Sequence, residues 1–158
     1  MSQIRRHYWD SSVFCSFLNK EANRVDAVEA LLRDAHQGRS EIYTSSFSLV
    51  EVIKIKGGQP ITEGQEKALI EFFEYPFIKI MNAERGVCER ARQFVWRNGM
   101  KPKDSVHLAT AEAVSKIVSL DGLFSWDGDF TGLNGTVPGI VFPLTVPFVQ
   151  QPELKLGA

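Results

Sequence analysis

Arg5-Arg6-His7-Tyr8-Trp9-Asp10-Ser11-Ser12-Val13-Phe14-Cys15-Ser16-Phe17-Leu18 sets the frame for the chain. Residues 5–9 read as a short strand, Asp10 stands at its end, and residues 11–18 continue as a helix with a mostly apolar face. A strand that passes an acid directly into a helix is the opening of a βα unit, and the units that follow repeat the pattern.

From Ala22 to His36, Val25, Val28, Leu31, Leu32 and Ala35 recur at three- and four-residue spacing, which predicts an amphipathic helix stopped by Gly38. Ser40–Ser45 reads as a strand and Phe47–Ile55 as a helix, ended by Gly57-Gly58 and Pro60. Thr62-Glu63-Gly64-Gln65 has the capping-box pattern ahead of Ala68, Leu69, Phe72 and Phe73. Tyr75–Met81 is a predicted strand, and Asn82 is placed to cap a helix that turns Val87, Ala91, Phe94 and Val95 inward. Pro102 opens another helix, to about Lys116. Leu123–Trp126 and Gly139–Val146 are the last predicted strands. Short strands alternating with helices predict an α/β fold with a mainly parallel sheet covered on both faces. The predicted organisation is a single domain over residues 1–148 and a C-terminal tail over 149–158.

Composition bounds the function loosely. The 158 residues are 44% hydrophobic and 23% charged, ordinary for a globular domain. A formal net charge of −1 neither advertises nor excludes a nucleic-acid partner. Cys15 and Cys88 lack metal-like spacing and read as buried free thiols, which suits a reducing, cytoplasmic setting. Neither a signal peptide nor an apolar run of about 18 residues, the minimum for a membrane span, is legible.

Four acids stand at predicted element ends: Asp10, Glu51, Asp104 and Asp127. In doubly wound sheets the site lies beyond the carboxyl ends of the strands, so all four can reach one edge. At ~4 Å and an effective dielectric of ~20, each like-charged pair opposes folding by roughly 4 kcal/mol. Such a cluster takes up protons or binds a cation. Each acid also has a structural reading. Asp10 can cap a helix, Ser48-Leu49-Val50-Glu51 matches a capping box, Asp104 suits a helix dipole, and Asp127-Gly128 can be a turn. The joint pattern favours the cluster, since a lone carboxylate at Glu51, inside Phe47–Ile53, would be costly.

At these residues the sequence resembles the PIN-domain family of metal-dependent ribonucleases, and within it the VapC-like toxins of type II toxin–antitoxin systems. Tyr8-Trp9-Asp10-Ser11-Ser12 is similar to the first motif, and Thr44–Val52 to the second, which ends in its glutamate. Lys103-Asp104-Ser105-Val106-His107-Leu108-Ala109-Thr110-Ala111 resembles the third, an aspartate followed by a histidine and small helix residues. Ser125-Trp126-Asp127-Gly128-Asp129-Phe130 resembles the fourth, with serine where threonine is more usual and Asp129 competing with Asp127.

The resemblance implies a three-layer α/β/α sandwich and an acidic pocket of Asp10, Glu51, Asp104 and Asp127 holding Mg²⁺ or Mn²⁺. It further implies RNA phosphodiester hydrolysis, a cognate antitoxin and a homodimer. The alternatives are a PIN nuclease of RNA processing or decay without an antitoxin, and a non-catalytic RNA- or protein-binding PIN module. A haloacid-dehalogenase phosphatase would need an aspartate two residues after the first, where this chain has Ser12.

Three further features each admit two readings. His107, on the helical face of Asp104, can steady a carboxylate or simply fill a helix. Arg85, Arg90, Arg92, Arg97, Lys101 and Lys103 can be a phosphate track or a solvated face. Phe14, Phe17, Leu18, Val28, Leu31 and Leu32 can line an antitoxin groove or the core.

Overall fold

In the computed structural model, residues 3–52 and 60–149 are described. Five strands form one sheet: β1 (Arg5–Trp9), β2 (Ser40–Ser45), β3 (Ile78–Met81), β4 (Gly122–Phe124) and β5 (Leu144–Thr145). Their order is β3-β2-β1-β4-β5 and every pairing is parallel. Parallel neighbours need crossovers, which the helices supply. These are α1 (Ser11–Leu18), α2 (Val25–His36), α3 (Ser48–Glu51), α4 (Glu63–Phe73), α5 (Arg85–Asn98), α6 (Pro102–Ser115) and α7 (Gly128–Thr131).

Alternation along β1 and β4 splits the interior into two cores. Tyr8 and Leu123 point to one face, where Phe94, Leu108 and Val114 of α5 and α6 cover them. Trp9 and Phe124 point to the other, where Val13, Phe14, Val28 and Leu32 of α1 and α2 lie. The result is the expected three-layer α/β/α sandwich. β1 is central, and the chain order reverses there, β2 lying on one side and β4 on the other. That reversal opens a crevice beyond the carboxyl ends of β1 and β4, the standard location of an α/β site.

Local expectations fared unevenly. β1, α1, β2 and the capping box of Thr62 and Gln65 stand where they were read. The helix expected over Phe47–Ile55 is described only as four residues, and positions 53–59 lie outside the described residues. The N-cap of α5 is Glu84 rather than Asn82, and β5 is two residues long where eight were expected. β4 ends at Phe124, so Asp127 follows a short turn rather than the strand itself. Both cysteines are free, but Cys88 is exposed, which corrects the expectation that it is buried; it sits on the outward side of α5. The tail at 150–158 lies outside the described residues.

Candidate functional site

Asp10 is the most deeply placed of the four acids, 3% exposed. It ends β1 and caps α1, its Oδ1 accepting from the Ser12 amide at 3.1 Å and the Ser12 hydroxyl at 2.5 Å. Its Oδ2 accepts from the Ser125 hydroxyl at 2.5 Å. Ser12 Oγ and Ser125 Oγ in turn accept from the amides of Trp126 and Asp127, each at 3.0 Å. Two small hydroxyl side chains thus tie the end of β1 to the segment after β4. Burial pushes the Asp10 carboxyl above its usual range, and the neighbouring His107 and the two serines pull against that.

Asp104 sits in the first turn of α6. Its carboxylate, with those of Asp127 and Asp129, forms a group whose ligand oxygens all lie within 4.8 Å of one another. Burial, then Asp127, then Asp10 raise its pKa to about 6. Asp127 caps α7 by accepting from the Asp129 amide at 2.9 Å. Asp129 is exposed and pairs with the Lys101 ammonium at 3.2 Å. The structure therefore sets both Asp127 and Asp129 beside Asp104, where the sequence reading had them compete for one place. A cleft of about 380 Å³, lined by Lys101, Asp104, Asp129, Phe130 and Leu133, opens alongside.

Glu51 is joined to this centre differently. It ends α3, and the capping-box reading fails, because the N-cap of α3 is Phe47 with no side-chain bond. Ser48 Oγ lies instead 2.7 Å from Thr44 Oγ1, which donates to the Trp9 carbonyl at 2.8 Å. Glu51 Oε1 meets His107 Nε2 at 2.5 Å. Asp10 and Glu51 thus adjoin the three-aspartate group without belonging to it.

The basic residues divide. Arg90 clamps Glu112 through two 2.9 Å bonds and lies 4.3 Å over Phe94, so it is structural rather than part of a phosphate track. Arg85 pairs with Glu89, Arg92 lies over the exposed Trp96, and Lys101 faces the acids. Of the stripe on the first two helices, Phe14, Val28 and Leu32 are buried and Phe17, Leu18 and Leu31 are partly buried against the same cluster, which favours its core reading over a groove. An apolar groove of about 400 Å³ lies elsewhere, lined by Leu49, Leu69, Ile70, Phe73 and Ile80.

The parallel sheet carries its carboxylate centre beyond the ends of its middle strands, where open α/β sheets place their ligand sites. The PIN-domain family model matches residues 8–130, and the chain belongs to that family. Among solved structures it is similar to VapC20 of Mycobacterium tuberculosis, a sarcin-ricin loop cleaving toxin, at 16% identity and TM-score 0.61, over 81% of this chain and 95% of that one. It is also similar to VapBC2 of Rickettsia felis bound to a promoter DNA fragment, at 15% identity and TM-score 0.60, over 88% and 96%. A toxin–antitoxin complex of Klebsiella pneumoniae matches at 16% identity and TM-score 0.55, over 90% and 98%. At these identities the likeness shows the fold. No curated protein matches the chain by sequence.

Proposed function

We propose that the chain is a Mg²⁺- or Mn²⁺-dependent endoribonuclease, the toxin of a toxin–antitoxin pair, working in the cytoplasm as a homodimer. The observation that carries this reading is the meeting of Asp104, Asp127 and Asp129 within 4.8 Å, flanked by Asp10 and Glu51. An all-carboxylate donor set suits a hard divalent cation, which keeps several waters and leaves positions for a phosphate. Asp10, Glu51, Asp104 and Asp127 would hold it, with Asp129 adjoining. When bound, such an ion supplies an activated water and offsets charge developing on the phosphate.

The chain's own groups do the rest. Ser12 and Ser125 fix the direction of the Asp10 carboxylate. Lys101 is the cation at the rim, free to exchange Asp129 for a phosphate oxygen of the RNA. The cleft beside it falls in the size range of small-ligand pockets and suits a nucleoside flanking the scissile bond. The apolar groove next to Glu51 supports a protein partner, for which an amphipathic antitoxin helix is the fitting shape. Among the described residues no helix is long and apolar enough to cross a membrane.

The test is RNA cleavage by the purified protein with Mg²⁺, with Mn²⁺ and with EDTA, followed by sequencing of the ends. Metal-dependent internal cuts are expected, and intact RNA under all three conditions would end the nuclease reading. Expression of the chain alone should arrest growth, while normal growth with active enzyme would favour a PIN nuclease of RNA processing or decay.

A further inference from the structure

We propose that His107 is the positioning residue of the acidic centre, holding Glu51 in register with Asp104 through one rigid helix. This rests on the nuclease reading above. Glu51 ends a helix of four residues, and a single turn has little stability of its own. Its backbone alone would place the carboxylate loosely. α6, by contrast, runs 14 residues and contributes eight buried side chains to the interior. Asp104 and His107 are three positions apart on it and share a face.

The ring of His107 is 1% exposed and both nitrogens are engaged. Nε2 lies 2.5 Å from Glu51 Oε1, and Nδ1 lies 2.7 Å from the hydroxyl of the fully buried Tyr8. An ionised carboxylate only accepts, so the Nε2 proton belongs to the bond with Glu51. In the neutral ring Nδ1 is then the acceptor, and the Tyr8 hydroxyl donates to it. Tyr8 stands on β1 immediately before Asp10. One chain of contacts therefore links the strand that carries Asp10, the helix that carries Asp104 and the carboxylate of Glu51. With Oε1 committed to His107, Oε2 is the oxygen left for a cation. A histidine that only filled the core would not need a carboxylate partner.

The experiment compares His107→Gln with His107→Asn. The Gln amide reaches the position of Nε2, and the Asn amide only that of Nδ1. Mn²⁺ binding is read by calorimetry and electron paramagnetic resonance, with thermal melts in EDTA and RNA cleavage in parallel. His107→Asn should weaken Mn²⁺ binding by about 10–100-fold, the usual effect of removing a group that orients a ligand. His107→Gln should stay within a few-fold of wild type. In a Glu51→Ala background His107→Asn should add no further loss, because its effect passes through Glu51.

Unchanged Mn²⁺ binding by His107→Asn, or full additivity with Glu51→Ala, overturns the proposal. Should His107→Asn fail to fold, Tyr8→Phe decides: it keeps the packing but frees the ring, so weakened Mn²⁺ binding supports the proposal and unaltered binding overturns it. A wild type that binds Mn²⁺ and cuts RNA while the variants do the same removes only the positioning role. A wild type that does neither removes the nuclease reading as well.

Discussion

The hydroxyl of Ser125 donates to Oδ2 of Asp10 at 2.5 Å across 115 residues of sequence, and accepts from the amide of Asp127 at 3.0 Å. One buried oxygen therefore sets both the direction of the deepest carboxylate and the path of the chain into the next. Ser125→Ala should lower metal-dependent RNA cleavage by about 10–100-fold, as loss of an orienting partner generally does, and lower Tm as well, because the buried Asp10 oxygen and the Asp127 amide each lose a partner. Ser125→Thr, which restores the hydroxyl, should recover most of the activity. Cleavage assays at saturating Mg²⁺ on folded protein decide this, and an unimpaired Ser125→Ala would remove the serine from the site.

Asp10→Asn and Asp104→Asn each remove one negative charge while keeping side-chain shape. Each should abolish metal-dependent RNA cleavage while leaving the fold intact by circular dichroism. The amide at position 10 can still meet two hydroxyls that rotate to suit it. Full activity in both variants would refute the assigned metal shell.

Two partly buried groups make stability respond to pH in opposite senses. The pKa of Asp104 is raised to about 6, so its stabilising contribution is complete below the unfolded value near 3.8 and is lost as pH rises through 6. Asp10 shifts in the same direction. His7, stacked on Phe124, is lowered by burial to about 4 from 6.5, so it destabilises as pH falls through that range. In EDTA, the Tm advantage of Asp104→Asn over wild type should therefore grow from about pH 4 to pH 6 and then level off. The advantage of His7→Phe should shrink over the same interval. Parallel differences of the same sign would contradict the assignment.

How much of this was readable from the chain depends on range. The strand and helix of residues 5–18 and the Thr62 cap are local patterns, and they stand as read. The sequence allows Asp10 a helix cap, Asp104 a helix-dipole role and Asp127 a turn; in the structure Asp10 caps a helix and Asp104 lies in a first turn as those readings have it, while Asp127 also caps a helix. Asp127 caps α7 and belongs to the three-aspartate group at once, so capping and clustering are not rivals there. Glu51 shows the limit: its capping-box spacing is correct, yet its partner is His107, 56 residues away. Arg90 was indistinguishable from its basic neighbours, because its tie to Glu112 spans 22 residues and two helices. Long-range pairings of that kind leave no trace in spacing.

Arg90 also offers the clearest separation of stability from function. Its guanidinium meets both oxygens of Glu112, donates to the Pro138 carbonyl at 3.1 Å and covers Phe94. Glu112 is 5% exposed, so deleting Arg90 leaves a carboxylate with poor access to water. The chain even approaches at Gly139, φ +89°, where a Cβ would come within 2.9 Å of Glu112 Oε2. Arg90→Met should destabilise by about 3 kcal/mol, the low end for breaking a buried pair because the arginine is partly solvated, lowering Tm by roughly 5–10 °C. RNA affinity and cleavage at a permissive temperature should be unchanged, in contrast with Lys101→Met, which leaves Tm alone and weakens RNA binding. Equal loss of RNA binding in the two variants, with no difference in Tm, would return Arg90 to the phosphate track.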